Sequence, residues 1–205
     1  MSRKPFLCLS ALISGSLLPG CMLPEELVVH PALDATYYTR VNFRPDNGNV
    51  LRDCNFYVLP STVPIGSKTR IKHYSRHEVR LEIEGVGYRM VSSTPKGIPT
   101  DPASIEAFLH KYFVRSTEAL KTDALGPAEH TPGVRAGQPA VGMTKEQVYA
   151  CLGPPHKIGG GKLGLDLTLD EILASDTWYH GHQIVVIPIL TTYTFGGGLL
   201  QRIGG

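Results

Sequence analysis

The chain has 205 residues, with 20 basic against 18 acidic side chains and a formal net charge of +2. That balance excludes the basic surplus of a nucleic-acid binder and the acidic tail of a partner for cationic surfaces. Twenty-two glycines and 16 prolines imply many turns and an α+β architecture rich in strands and loops.

The first residues resemble a bacterial lipoprotein leader. Arg3 and Lys4 give a positive start, an apolar run follows from Phe6 to Ile13, and Leu18-Pro19-Gly20-Cys21 stands where a lipobox places its acceptor cysteine. The run is too short to cross roughly 30 Å of hydrocarbon, so a cleaved secretory signal over residues 1–20 is expected rather than a retained span. Cys21 is then the lipidated N-terminus, and two or three acyl chains anchor where one would not. Pro19 departs from the small residue usual at its place. Residue 22 is Met rather than Asp. By resemblance to bacterial lipoproteins, that implies an outer-membrane, periplasm-facing protein whose first partner is the membrane itself. The mature chain, without Arg3 and Lys4, carries 18 residues of each sign.

Residues 36–114 read as a β-rich unit. Strands are predicted over Tyr37–Phe43, Asn55–Leu59, Thr69–Tyr74, His77–Glu84 and Tyr88–Val91, separated by turn formers such as Pro45-Asp46-Asn47-Gly48 and Gly85–Gly87. In the fourth of these, Val79, Leu81 and Ile83 alternate with Arg80, Glu82 and Glu84, so one face is solvated. Five short strands suggest a small barrel or rolled sheet. A helix closes it: Asp101 is an N-cap, Pro102 suits the first turn, and Ile105, Phe108, Leu109, Tyr112 and Phe113 form an apolar stripe. Residues 115–141, with Gly126, Pro127, Pro132, Gly133, Gly137 and Pro139, read as an interdomain linker. Cys54 and Cys151 could pair in an oxidising compartment. Two separate buried thiols are favoured, because the two fall in different predicted units.

The second predicted unit covers 142–205. Thr144 and Gln147 form a capping box, Val148, Cys151 and Leu152 share one helix face, and Gly153 with Pro154 and Pro155 stops the helix. Thr168 and Glu171 form a second capping box. Asp176–His180, Ile184–Phe195 and Leu199–Ile203 then read as three antiparallel strands, with Gly196-Gly197-Gly198 as the last turn and Pro188 marking an edge or bulge. Gly142-Met143-Thr144, Gln147-Val148, Leu152-Gly153, Pro155 and Asp176-Thr177-Trp178 together resemble the SmpA/OmlA domain, the family of the BamE lipoprotein of outer-membrane β-barrel assembly. The resemblance covers about a third of the chain. It implies short helices on a three-stranded antiparallel sheet, structural rather than catalytic roles for these residues, and partners among the outer-membrane β-barrel assembly proteins. Three features depart from the family: no helix is evident before Gly142, 22 residues separate Pro155 from Trp178, and the aromatic expected two positions after Trp178 is His180.

Catalytic patterns are sparse. Gly159-Gly160-Gly161-Lys162 lacks the upstream glycine and the following hydroxyl of a phosphate loop. Cys151 on a core-facing helix position reads as inert. His180 and His182 would share a strand face and are a weak metal pair, with only distant His156 as a third ligand. The expectation is a non-enzymatic lipoprotein without a cofactor or nucleic-acid partner. The alternative is a peptidoglycan or glycan binder using Tyr37, Tyr38, Phe56, Tyr57, Tyr74 and Tyr88 of the β-unit as an aromatic platform.

Overall fold

The computed structural model describes residues 28–46, 48–53, 62–126, 130–184 and 187–205, with backbone alone for 122–123, 182–184 and 187–189. The leader, Cys21, Cys54, the strand expected over Asn55–Leu59, and Phe56 and Tyr57 lie outside the described residues. The elements run β1 (Thr36–Thr39), β2 (Val50–Arg52), β3 (Lys68–Tyr74), β4 (Glu78–Ile83), β5 (Val86–Val91), α1 (Pro102–Tyr112), β6 (Phe113–Val114), α2 (Thr117–Leu120) and α3 (Thr131–Ala136). They continue with α4 (Lys145–Leu152), β7 (Lys157–Ile158), α5 (Leu169–Ala174), β8 (Thr177–Ile184), β9 (Ile187–Gly196) and β10 (Leu199–Gly204). No helix of the described residues is long and apolar enough to cross a membrane.

The fold is mixed α+β with two sheets. The first is curled and six-stranded, ordered β2-β5-β4-β3-β1-β6. Its pairings are antiparallel except β2 with β5, which is parallel. Among the described residues β2 and β6 do not pair, so the sheet is rolled but open rather than a closed barrel. The second is antiparallel, ordered β10-β9-β8-β7.

Strand β4 follows its alternation: Val79, Leu81 and Ile83 are buried, and Arg80 and Glu84 are exposed. Glu78 departs from it. The register places Arg80 opposite Arg89 across the β4–β5 pair, and like charges in that position repel. The buried Glu78 carboxylate accepts from the Nε of both arginines. Burial alone would raise its pKa, but these bonds hold it below the ordinary value. The hairpin turn is Glu84-Gly85, both at positive φ, so β5 starts at Val86, two residues before the predicted Tyr88.

Helix α1 is capped as predicted, with Asp101 Oδ1 accepting from the Ser104 backbone at 3.0 Å. It ends at Tyr112, not Phe113. Phe113 is extended and, as the first residue of β6, pairs with Thr39 of β1. Its ring still joins the aromatic interior, 5.8 Å from Phe43, whose ring lies 6.0 Å from Tyr112.

The described part of the stretch expected as a linker, 115–126 and 130–141, includes helical segments. Pro132 sits in the first turn of α3, and Gly137 (φ +68°) ends it with the two bonds of a Schellman cap, Gly137 N–H to the Val134 carbonyl and Gln138 N–H to that of Gly133. A Cβ on Gly133 would stand 2.9 Å from Met143 Cε, so glycine lets α3 approach the second unit closely. Leu120, Ala124 and Val134 are buried in one continuous apolar core with residues of both sheets.

Asn42, fully buried after β1, ties the two halves together. Its Nδ2 donates to the carbonyls of Val134 (2.6 Å) and Ala150 (2.9 Å), and its Oδ1 accepts from Ile65 N–H at 3.0 Å. Asn42→Ala removes all three side-chain bonds and leaves the buried Ile65 N–H without its acceptor, while the Val134 and Ala150 carbonyls keep their bonds from Gly137 N–H and Asn42 N–H. It should cost about 2–4 kcal/mol in chemical unfolding, whereas a cost below about 0.5 kcal/mol, typical of surface changes, would deny Asn42 that role.

Candidate functional site

The motif residues of the second half come together as a helix seated on a sheet. Thr144 Oγ1 accepts from Gln147 N–H at 3.3 Å, and Gln147 Oε1 accepts from Thr144 N–H at 2.8 Å, completing the predicted box. Gln147 is fully buried, and its Nε2 also donates to the Leu125 carbonyl at 3.3 Å. Val148, Cys151 and Leu152 are buried, as are Tyr149 and Ala150, and Gly153 closes α4 by donating to the Tyr149 carbonyl at 2.7 Å. Gly142 and Met143 lie along β10, exchanging backbone bonds with Leu200 at 2.9 and 2.7 Å. Pro155 is buried behind the helix end.

Trp178 is the anchor of the sheet's inner face. It is fully buried, its Nε1 donates to the Ile172 carbonyl of α5 at 3.0 Å, and its ring meets Phe195 at 4.7 Å and Tyr149 of α4 at 6.3 Å. Lys145 bonds Asp176 at 2.7 Å, and its Nζ lies 5.7 Å from the Phe195 ring centroid, so the start of α4 is tied to the start of β8. The second capping box is present at α5. Pro188 lies on the part of β9 that runs past the end of β10, where among the described residues its neighbouring strand is β8.

The weaker candidates separate. Cys151 is a free thiol, wholly buried, and burial pushes its pKa up to about 12 against the opposing effect of Arg44. A protonated, inaccessible thiol is not a nucleophile. His180 and His182 both fall in β8. His180 is buried there, edge-on to Tyr193 with ring centroids 5.4 Å apart, whereas His156 is exposed on the turn after α4. Among the described residues no three His, Cys, Asp or Glu side chains are grouped to hold a metal ion. Of the aromatic residues considered for a platform, Tyr37 and Tyr74 are buried inside the first sheet, with Tyr74 donating to the Pro99 carbonyl at 2.8 Å, while Tyr38 and Tyr88 are half-buried.

The sequence reading missed the most unusual polar groups, which lie where α1 meets the second half. Lys111 is only 6 % exposed, and its Nζ donates to the Leu165 carbonyl at 2.8 Å. Its own carbonyl accepts from the buried Tyr149 hydroxyl at 3.1 Å. Asp53, also buried, accepts from Ser92 Oγ (2.9 Å) and Ser93 N–H (2.8 Å). A faint signal existed: Lys111 follows Phe108 by three residues and so flanks the apolar stripe of α1.

Compared with known proteins, the chain matches no family, no curated protein and no solved structure. The functional reading therefore stands on residues and geometry.

Trp178→Ala should destabilise the fold by about 3–5 kcal/mol, as for other buried aromatics. An unchanged melting temperature would refute its anchoring role. Lys111 makes a pH prediction. Burial lowers its pKa from 10.5 to about 8, against the upward pull of Asp53, Asp166 and Glu171. The unfolded chain therefore binds more protons above pH 8, and stability rises with pH. Cys151, raised from 9.0 to about 12, has the opposite sign once pH passes 9.0. Between pH 8 and 9 the protein should gain up to ~1 kcal/mol relative to Lys111→Met. Parallel pH–stability curves for the two would show that Lys111 is not a buried titrating group.

Proposed function

We propose that this protein is a lipid-anchored outer-membrane lipoprotein that works through protein–protein contacts, as an accessory in outer-membrane β-barrel assembly or envelope maintenance. The observation that carries the reading is the seating of the capped helix α4 on the antiparallel sheet through Trp178, with α3 packed beside α4. The SmpA/OmlA resemblance implies short helices on a three-stranded antiparallel sheet; here the sheet has a fourth, two-residue strand, β7, and α3 is a helix before Gly142, which supports the reading. The lipobox at Cys21 adds the compartment. The motif residues are taken up by caps, core and strand pairing, so they serve as scaffold, and recognition falls to exposed surface. Val141, Leu199 and Ile203 are large apolar side chains exposed at or beside β10.

The reading is tested with full-length protein extracted from outer membranes after in vivo crosslinking. Metabolic labelling with radioactive palmitate is expected, and Cys21→Ser should abolish it. Crosslinks to the central barrel-assembly subunit are expected, and Val141→Glu with Leu199→Glu should weaken them about tenfold, the effect of removing interface anchors. A reproducible absence of that subunit from the crosslinked material overturns the assembly role.

A further inference from the structure

A cleft of about 310 Å³ lies beside α1, at its junction with the 165–168 segment. That volume is at the lower end of small-molecule sites. Its lining combines hydroxyl-bearing Ser92, Thr94, Ser104 and Thr168 with Asp53, Lys96, Lys111 and Asp166. Pro99 and Leu167 add apolar surface.

Two observations define what fits. First, the Lys111 ammonium is more than nine-tenths buried and carries three hydrogens, and Leu165 is its protein partner at 2.8 Å. Buried donors are ordinarily satisfied, so an acceptor oxygen entering the cleft meets a strong, fixed donor. Secondly, the cleft wall is already neutral: Lys96 pairs with Asp166 at 3.0 Å, and the Asp53 carboxylate balances the second lysine. An added anion would gain from Lys111 but would face Asp53 and Asp166, with Glu171 nearby, whereas a neutral ligand with many hydroxyl and carbonyl oxygens has no such conflict. Ser92 and Thr94 form a chain of bonds with Asp53, with Ser92 Oγ 3.2 Å from Thr94 Oγ1. Their hydroxyls can reorient to donate or accept. Neutral polyols with apolar C–H faces are saccharides.

We propose that this cleft binds a neutral saccharide unit, with Lys111 donating to a ring or acetamido oxygen and the hydroxyls of Ser92 and Thr94 meeting those of the sugar. The site lies at the seam between the two halves, not on the tyrosines of the first sheet. It rests neither on the lipid anchor nor on the barrel-assembly partner, so its failure and theirs are separable.

Full-length protein in a detergent without a sugar headgroup is titrated calorimetrically with triacetylchitotriose, maltotriose and the anionic trigalacturonate. Binding of at least one neutral trisaccharide is expected, more tightly than trigalacturonate. Lys111→Met should weaken it about tenfold, the loss of one charged hydrogen bond. Ser104→Trp, which places an indole at the cleft while leaving Lys111 intact, should abolish it, and unchanged melting temperatures of the variants exclude misfolding as the cause. The proposal is overturned if neither neutral trisaccharide binds at millimolar concentration, if trigalacturonate binds more tightly than both, or if folded Ser104→Trp binds as the unaltered protein does.

Discussion

The side-chain amide of Asn42 is the constraint on which the arrangement of the molecule depends. A buried amide has two donor hydrogens and a carbonyl oxygen to satisfy. Asn42 satisfies them with backbone groups from three places in the chain: Val134 in α3, Ala150 in α4 and Ile65 before β3. Its own backbone N–H also donates to the Ala150 carbonyl, at 2.9 Å. Backbone groups cannot be moved independently of their helices, so four bonds at one residue fix α3 and α4 against the first sheet. Apolar packing alone would tolerate sliding, because burial is indifferent to direction. The polar seam supplies the direction.

That seam explains where the sequence was legible and where it was not. Local signals were read directly: Asp101, Thr144 and Thr168 act as caps because each side-chain oxygen meets a backbone N–H two or three residues on, an interaction visible at short range. The alternation of β4 was equally plain. The stretch of 115–141 misled because glycine and proline punctuate both loops and short helices. Pro132 lies in the first turn of α3 and Gly137 ends it, and with four residues between the two signals no apolar period could build up. Asn42, Lys111 and Asp53 were invisible for another reason. Their partners lie dozens of residues away, and nothing local marks a polar residue as buried. The edge strands β2 and β6, three and two residues long, fall below the length at which alternation is detectable.

Burying Lys111 is costly, since an ammonium removed from water is stabilised only in part by one carbonyl and by more distant carboxylates. Structures keep such groups where a neighbouring element must be held in one position or where a ligand is met. Here both apply to the same atom. The Leu165 carbonyl ties the loop after β7 to α1, and Lys111 also lines the cleft beside this contact. The Lys96–Asp166 pair crosses the same junction, but it is solvent-exposed on both sides and adds little. The seam's geometry is therefore set by its buried members.

The Gly-Met-Thr sequence before α4 is best understood as protection of a sheet edge. Strand β10 ends the order of its sheet, and an unpaired edge invites pairing with other chains. Gly142 and Met143 occupy the edge groups of Leu200, and Thr144 bridges to Leu199. The bulge between Leu200 and Arg202 then turns the remaining edge out of register. Thr144 next caps α4, so the residue that ends the strap also starts the helix. One short segment thus shields the sheet and aims the helix at Trp178. This accounts for the Gly-Met-Thr, Gln-Val and Leu-Gly residues of this chain acting as one structural unit, without any catalytic demand on their side chains. It also leaves the outer face of the sheet, where Thr192 and Thr194 stand half-exposed, free of structural duties.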